Sequence, residues 1–259
     1  MSAPDYPDYV ARNIENWTDA NAEYTGPNAR NAWAKDELAF GIFGTPELTR
    51  EALGDVSGLD VVDLGCGTAY VSARLMRAGA RPVGVDPTPA QLATAREMQA
   101  EFGLEFPLIE AVAESVPLPD ASFDLAVSEY GASIWADPNR WIPEAARLLR
   151  PGGRLVFLRN SMVSVLCQAL DEVTESLQRP QRELRKITWP DTGETEFQTP
   201  IGELIDILRE SGFALERLIE LYAADDAKTH NYYKYVTAEW ARKWPAEELW
   251  VARLQPRSS

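Results

Sequence analysis

The chain has 259 residues, 45% of them hydrophobic, and a formal net charge of −15. That length suits one α/β domain with added segments and a sizeable core. The acidity argues against nucleic acid, whose phosphates are bound by Lys and Arg with release of counterions, and against an anionic membrane surface.

Residues 8–55 read as two or three helices, the first carrying Val10, Ile14 and Trp17, the second, after Gly26-Pro27, carrying Trp33, Leu38 and Phe40. Strand patterns then alternate with helical ones: strands at 59–64, 81–86, 105–111, 123–128 and 153–159, helices near 68–79, 88–103 and 138–149. This alternation implies a parallel sheet with right-handed crossovers. The first strand runs into Val61-Val62-Asp63-Leu64-Gly65-Cys66-Gly67-Thr68, an apolar run that stops at an acidic residue and turns through two glycines into a helix. Such glycines let backbone lie against a nucleoside where a Cβ would collide. Asp86 closes the second strand, where a carboxylate accepts both hydroxyls of a ribose. The helix after it is specified by Thr88 as N-cap, Pro89 at the first helical position and Gln91 completing a capping box.

The dinucleotide fingerprint needs a third glycine at position 70, where this chain has Tyr70. That glycine serves a pyrophosphate on the helix N-terminus, and a ligand without phosphate does not need it. Asp63-Leu64-Gly65-Cys66-Gly67-Thr68 resembles motif I of the class I S-adenosylmethionine (SAM) methyltransferases, with Ala69 where many members carry a third glycine. Three further segments resemble the same family in the expected order: Asp86-Pro87-Thr88, the stretch from Ala113-Glu114-Ser115 to Ser122-Phe123-Asp124, and Leu148-Leu149-Arg150-Pro151-Gly152-Gly153-Arg154-Leu155. The resemblance covers roughly residues 59–160. It implies a Rossmann-like, seven-stranded, mostly parallel α/β sheet ending in a hairpin, with N-terminal helices and lid insertions. It also implies SAM as cofactor, with S-adenosyl-L-homocysteine as product.

After the fifth strand the rhythm breaks. Residues 161–200 hold an amphipathic helical pattern (Val165, Leu166, Leu170, Val173, Leu177) and then a polar stretch with Trp189-Pro190-Asp191-Thr192-Gly193. The αβ pattern resumes at 201–211 and a strand through Leu221, and a final strand is expected at 248–254. Between these strands, 222–246 is rich in aromatics. The organisation is therefore a helical cap at 1–56, a SAM-binding core at 57–160, an insertion or lid at 161–200, and the rest of the core at 201–259 with an aromatic lid segment at 222–246.

Cofactor contacts are expected from Asp63, Gly65, Cys66, Gly67, Thr68, Asp86, Pro87, Gln91, Ala113, Glu114, Ser115, Ser128 and Glu129. Tyr24 and Trp33 join them as aromatic faces for a sulfonium, although aromatics at helical spacing also serve as plain core. Methyl transfer is an in-line displacement, so the protein chiefly aligns the reactants and excludes water. A base is needed only where the acceptor loses a proton. His230, the single histidine, is a candidate base or a surface-loop residue, and Glu129 and Tyr130 end strand four where acceptor-facing groups sit. The two cysteines give neither a disulfide framework nor a metal spacing. The N-terminus lacks the basic start and apolar core of a signal peptide, and no stretch approaches the ~20 apolar residues of a membrane span. A cytoplasmic enzyme with a small, largely apolar substrate is expected, without nucleic-acid or membrane partners, and a homodimer is left open. A SAM-binding enzyme that does not transfer methyl, a non-catalytic SAM-binding partner and an NAD-dependent dehydrogenase stay open as alternatives. A P-loop is excluded, since no Gly-Lys-Ser/Thr run follows the turn.

Overall fold

Val61, Val62 and Leu64 are inaccessible to solvent on β1 (Asp60–Leu64), a strand covered on both faces, and this is why the run reads as continuously apolar. The computed structural model describes residues 7–19, 26–170, 172–230 and 235–256. β1 has parallel neighbours on both sides, β2 (Arg81–Asp86) and β4 (Phe123–Glu129). β3 (Leu108–Glu110) flanks β2, and β5 (Leu149–Asn160) flanks β4. A small antiparallel hairpin, β6 (Lys186–Thr188) with β7 (Thr195–Phe197), stands apart from this sheet. β8 (Phe213–Leu221) and β9 (Glu247–Leu254) complete it, with β9 antiparallel to both β5 and β8. Among the described residues the order is β3-β2-β1-β4-β5-β9-β8. The order reverses between β1 and β4, so the crevice beyond their carboxyl ends is the place where such sheets hold ligands.

Alternate residues of each strand feed two cores. On one face Val62, Leu64, Phe157 and Trp250 meet α7 (Pro138–Leu148) through Trp141 and Ile142, and α9 (Ile201–Glu210) through Leu204 and Leu208. On the other, Val61, Val127 and Leu249 meet α4 (Tyr70–Arg77) through Val71 and Leu75, and α3 (Pro46–Leu53) through Ala52 and Leu53. A third cluster joins α2 (Gly26–Trp33), α4 and α5 (Pro89–Phe102) around Trp33, Leu92 and Phe106. Each fully buried Leu or Val contributes about 1.5–3 kcal/mol.

The capping box expected at Thr88 does not form. Thr88 makes no side-chain cap bond; its N–H donates instead to Asp86 Oδ1 at 2.8 Å, and Gln91 is turned to the cavity described below. The helix expected across 165–177 also stops early. α8 (Met162–Cys167) is capped by Ser161, and its last carbonyls are taken by returning chain: Leu166 O by Gln178 N and Cys167 O by Thr174 N. Leu170 and Leu177, which the pattern had placed on an apolar face, are 62% and 72% exposed. In the aromatic segment, α10 (Ala238–Ala241) carries Trp240 into a separate cluster with Cys167, Val173 and Val236, and Trp244 rests on Trp240. α1 (Asp8–Asp19) is fastened to the small hairpin by Asn13, whose amide pairs with both backbone groups of Thr195 at 2.9 and 3.0 Å.

Candidate active site

The turn after β1 is fixed from two sides. A Cβ at Gly65 would lie 2.5 Å from the Ala132 nitrogen and 2.6 Å from the Gly131 Cα, so this glycine is demanded by the start of α6 (Gly131–Trp135) and not by a ligand. Gly67 is different: at φ +53 its Cβ position meets only Gln91 Oε1, at 3.7 Å, and this part of the turn opens into a cavity. Ala69 holds φ 60 where the motif's third glycine is absent, a left-handed conformation that costs an L-residue about 1–2 kcal/mol. The Asp86 carboxylate accepts the Gly67 N–H and the Thr88 N–H, both at 2.8 Å, one on each oxygen. Each oxygen keeps a further lone pair for a ligand. Burial pushes this carboxyl up and the two N–H bonds push it back.

The cavity measures about 430 Å³ and lies beyond the carboxyl ends of β1, β2 and β4. This is within the range of small-molecule sites. Of the residues expected from sequence it gathers Gly65, Cys66, Gly67, Thr68, Asp86, Pro87, Gln91, Ala113, Glu114, Glu129 and Tyr130. Glu114 Oε1 accepts from Tyr9 Oη and from the Asp137 N–H, whereas Oε2 is buried without a hydrogen-bond partner among the described residues. A buried oxygen left so is costly, and it stands ready for a ligand N–H or O–H.

Other expected residues fall elsewhere. Trp33 is fully buried in the α2–α4–α5 cluster, stacks on Phe106 and donates its indole N–H to Thr68 O at 2.7 Å, so it supports the turn from behind. Asp63 faces α4, accepting from Ser72 Oγ at 2.7 Å, and burial raises it to about 7. Ser128 lies beneath the floor, its hydroxyl donating to Leu64 O and accepting from Ser133 N. Ser115 points to solvent. His230 is half-buried and does not line the cavity; burial and then the charge of Lys35 lower its pKa. Tyr24 lies outside the described residues.

Two tyrosine–carboxylate pairs stand next to each other at the end of β4. Tyr70 Oη donates to Glu129 Oε2, whose other oxygen accepts the Gly41 N–H at 2.9 Å. Burial raises Glu129 against the pull of those bonds. Tyr130, at φ 58, donates to Glu247 Oε1, which also accepts the Ile42 N–H at 3.0 Å. Burial lifts Glu247 to about 7 and Tyr130 well above its ordinary value. Tyr235 Oη donates to Asn160 Oδ1 at 3.0 Å, and both residues line the cavity. α1 closes one side with Val10, Ile14 and Trp17, the last edge-to-face on Trp135 at 5.2 Å. Asn160, Gln168, Glu196 and Glu247 carry no local signal, because the fold brings them together from separate segments.

The comparisons with known proteins agree with this geometry. A family model described as a methyltransferase domain matches residues 62–157. An uncharacterised methyltransferase of Mycobacterium bovis is 45% identical over 101 residues, 39% of this chain and 40% of that relative's length. A dimethylglycine N-methyltransferase of Parasynechococcus marenigrum is 29% identical over 219 residues, 78% of this chain and 73% of the relative. The crystal structure of an S-adenosylmethionine-dependent methyltransferase from Mesorhizobium loti superimposes with a TM-score of 0.65 at 27% identity, covering 82% of this chain and all of that one. The Gly67 opening, the spare lone pairs of Asp86 and the unpartnered Glu114 oxygen fit a nucleoside bearing a vicinal diol and an amino group. Residues 62–157 thus match a methyltransferase domain, the sheet is that of the S-adenosylmethionine-dependent methyltransferase from Mesorhizobium loti, and the chain spans about 40% of the length of the Mycobacterium bovis relative.

Proposed function

We propose that this chain transfers a methyl group from SAM to a small, largely apolar acceptor held beside it in this cavity. The observation that carries the reading is that one cavity is lined by two unlike sets of residues: Gly67, Asp86 and Glu114, with polar groups for a nucleoside, and the apolar and aromatic Ile14, Trp17, Tyr130, Trp135 and Tyr235. When bound, SAM supplies an electrophilic methyl on a sulfonium that leaves as a neutral thioether. Asp86 would take the ribose hydroxyls, Glu114 a donor of the base, and Glu129 the ammonium of the methionine moiety. Trp17 and Trp135, locked edge to face, would keep water from the acceptor.

Where the acceptor must lose a proton, Tyr130 is the group we assign to receive it. Its oxygen already donates to Glu247, so a proton arriving on Tyr130 is matched by one passing to the Glu247 carboxylate. An acceptor at carboxylate or thiolate level would leave this pair idle. The reading is tested by incubating the protein with labelled SAM and panels of phenols, amines, carboxylates and thiols. Transfer to at least one apolar member is expected. SAM binding without transfer to any member would favour an enzyme or partner of this fold that uses the cofactor otherwise.

A further inference from the structure

We infer that the acceptor is a small lipophilic amine whose charged nitrogen seats against Glu196, an inference that rests on the methyl-transfer reading above. The described residues lining the cavity include four carboxylates, Asp86, Glu114, Glu129 and Glu196, and no Lys, Arg or His. The first three lie at the end of β2, in the 113–114 loop and at the end of β4, within the stretch matched by the family model. Glu196 does not. It sits on β7, in the hairpin outside that stretch, where β7 lies against α6 and lines the cavity through Glu196.

No cation hydrogen-bonds its carboxylate among the described residues. The two oxygens accept from Trp189 Nε1 and Gln198 Nε2, both neutral donors at 2.9 Å. Arg179, whose charge reaches Glu196, stacks over the Trp189 ring at 5.4 Å and donates to Gln168 O. A desolvated carboxylate held by neutral groups is costly unless an opposite charge comes to it. The second feature is aromatic. Trp17, Trp135, Tyr130 and Tyr235 line the same cavity, and aromatic π faces attract cations. Glu114 Oε2, buried and without a hydrogen-bond partner among the described residues, adds to the negative potential of the cavity. An anionic acceptor would lie among carboxylates with no Lys, Arg or His in the described lining to receive it; an amine satisfies both the Glu196 carboxylate and the rings.

The test uses the full chain saturated with S-adenosylhomocysteine and three probes of similar size: 2-phenylethylamine, 2-phenylethanol and 3-phenylpropionate. Isothermal titration calorimetry is expected to rank amine over alcohol by about tenfold, the scale of one charge-assisted contact, with the carboxylate weakest. Glu196→Gln, which keeps an acceptor for the Trp189 indole, should erase the amine's advantage while leaving alcohol and S-adenosylhomocysteine affinities unchanged. Glu194→Gln, on the hairpin but outside the cavity lining, should leave the ranking intact. The wild-type ranking decides the matter even if Glu196→Gln fails to fold. Amine and alcohol binding equally, a preference for the carboxylate, or an amine advantage that survives in Glu196→Gln would overturn this inference alone. Failure of every probe to bind would overturn the small-acceptor reading together with it.

Discussion

Asp86 clasps the cofactor turn through two backbone N–H groups while presenting its free lone pairs to the cavity, so its removal loosens the turn and deletes a charged acceptor together. Asp86→Ala is expected to weaken S-adenosylhomocysteine binding by about 1.5–3 kcal/mol, roughly ten- to hundredfold. Calorimetry giving wild-type affinity would remove Asp86 from the ribose. Tyr130 is the other residue whose position implies a task. A bulky side chain held at φ 58 is uncommon and needs its surroundings to keep it there, which the bond to Glu247 does. With an acceptor that releases a proton, Tyr130→Phe and Glu247→Gln should each lower kcat by about 10²–10⁴-fold while sparing cofactor affinity. His230→Ala is the companion measurement. A loss of kcat there, with Tyr130→Phe active, would move the base to the 230 loop.

Among the elements, α1 and the β6–β7 hairpin make one unit, because Asn13 gives its amide to both backbone groups of Thr195 and Tyr9 packs edge-on to Phe197. Asn13→Ala leaves two buried backbone groups unpaired, at about 1–3 kcal/mol each at most. Because this unit carries Trp17 and Glu196, the variant should raise the acceptor's KM more than it weakens S-adenosylhomocysteine binding; an equal loss of both would show that α1 serves the cofactor end. The same elements mark where sequence reasoning stopped. β1, β2 and β4 are legible because their central residues, buried on both faces, are apolar, and Asp86 ends the β2 run. The hairpin is three residues on each strand with a polar turn, too short for a period of two to register. α8 carries helical spacing past its end, but the chain that returns at Thr174 and Gln178 takes its carbonyls, a long-range event no local pattern records. Asp63 is expected from its place in the turn motif and Trp33 as an aromatic face for a sulfonium; both stand one layer behind the turn, bonded to Ser72 and Thr68.

For the whole molecule the buried carboxylates set a dependence on pH. Asp63 and Glu247 stand at about 7, raised chiefly by burial from 3.8 and 4.5, so between those limits the folded chain holds protons that the unfolded chain has released. Stability from these two groups is therefore complete below the unfolded values and is lost as pH rises through the folded ones. Urea midpoints should fall from about pH 5 to about pH 8, more shallowly in Glu247→Gln; a midpoint that climbed over that interval would contradict the assignment. The net charge of −15 acts in the same direction as ionisation proceeds. The strand order also has a consequence in time. β9 lies between β5 and β8 although it follows both in the chain, and it places Trp250 flat on Phe157. During synthesis, β5 waits with an open edge and an uncovered aromatic ring until residues 247–254 have emerged from the ribosome. An unpaired strand edge beside exposed apolar surface is the usual start of aggregation. The nascent protein is thus most vulnerable after β5 has formed and before β9 has emerged, and a holdase would protect it most in that interval.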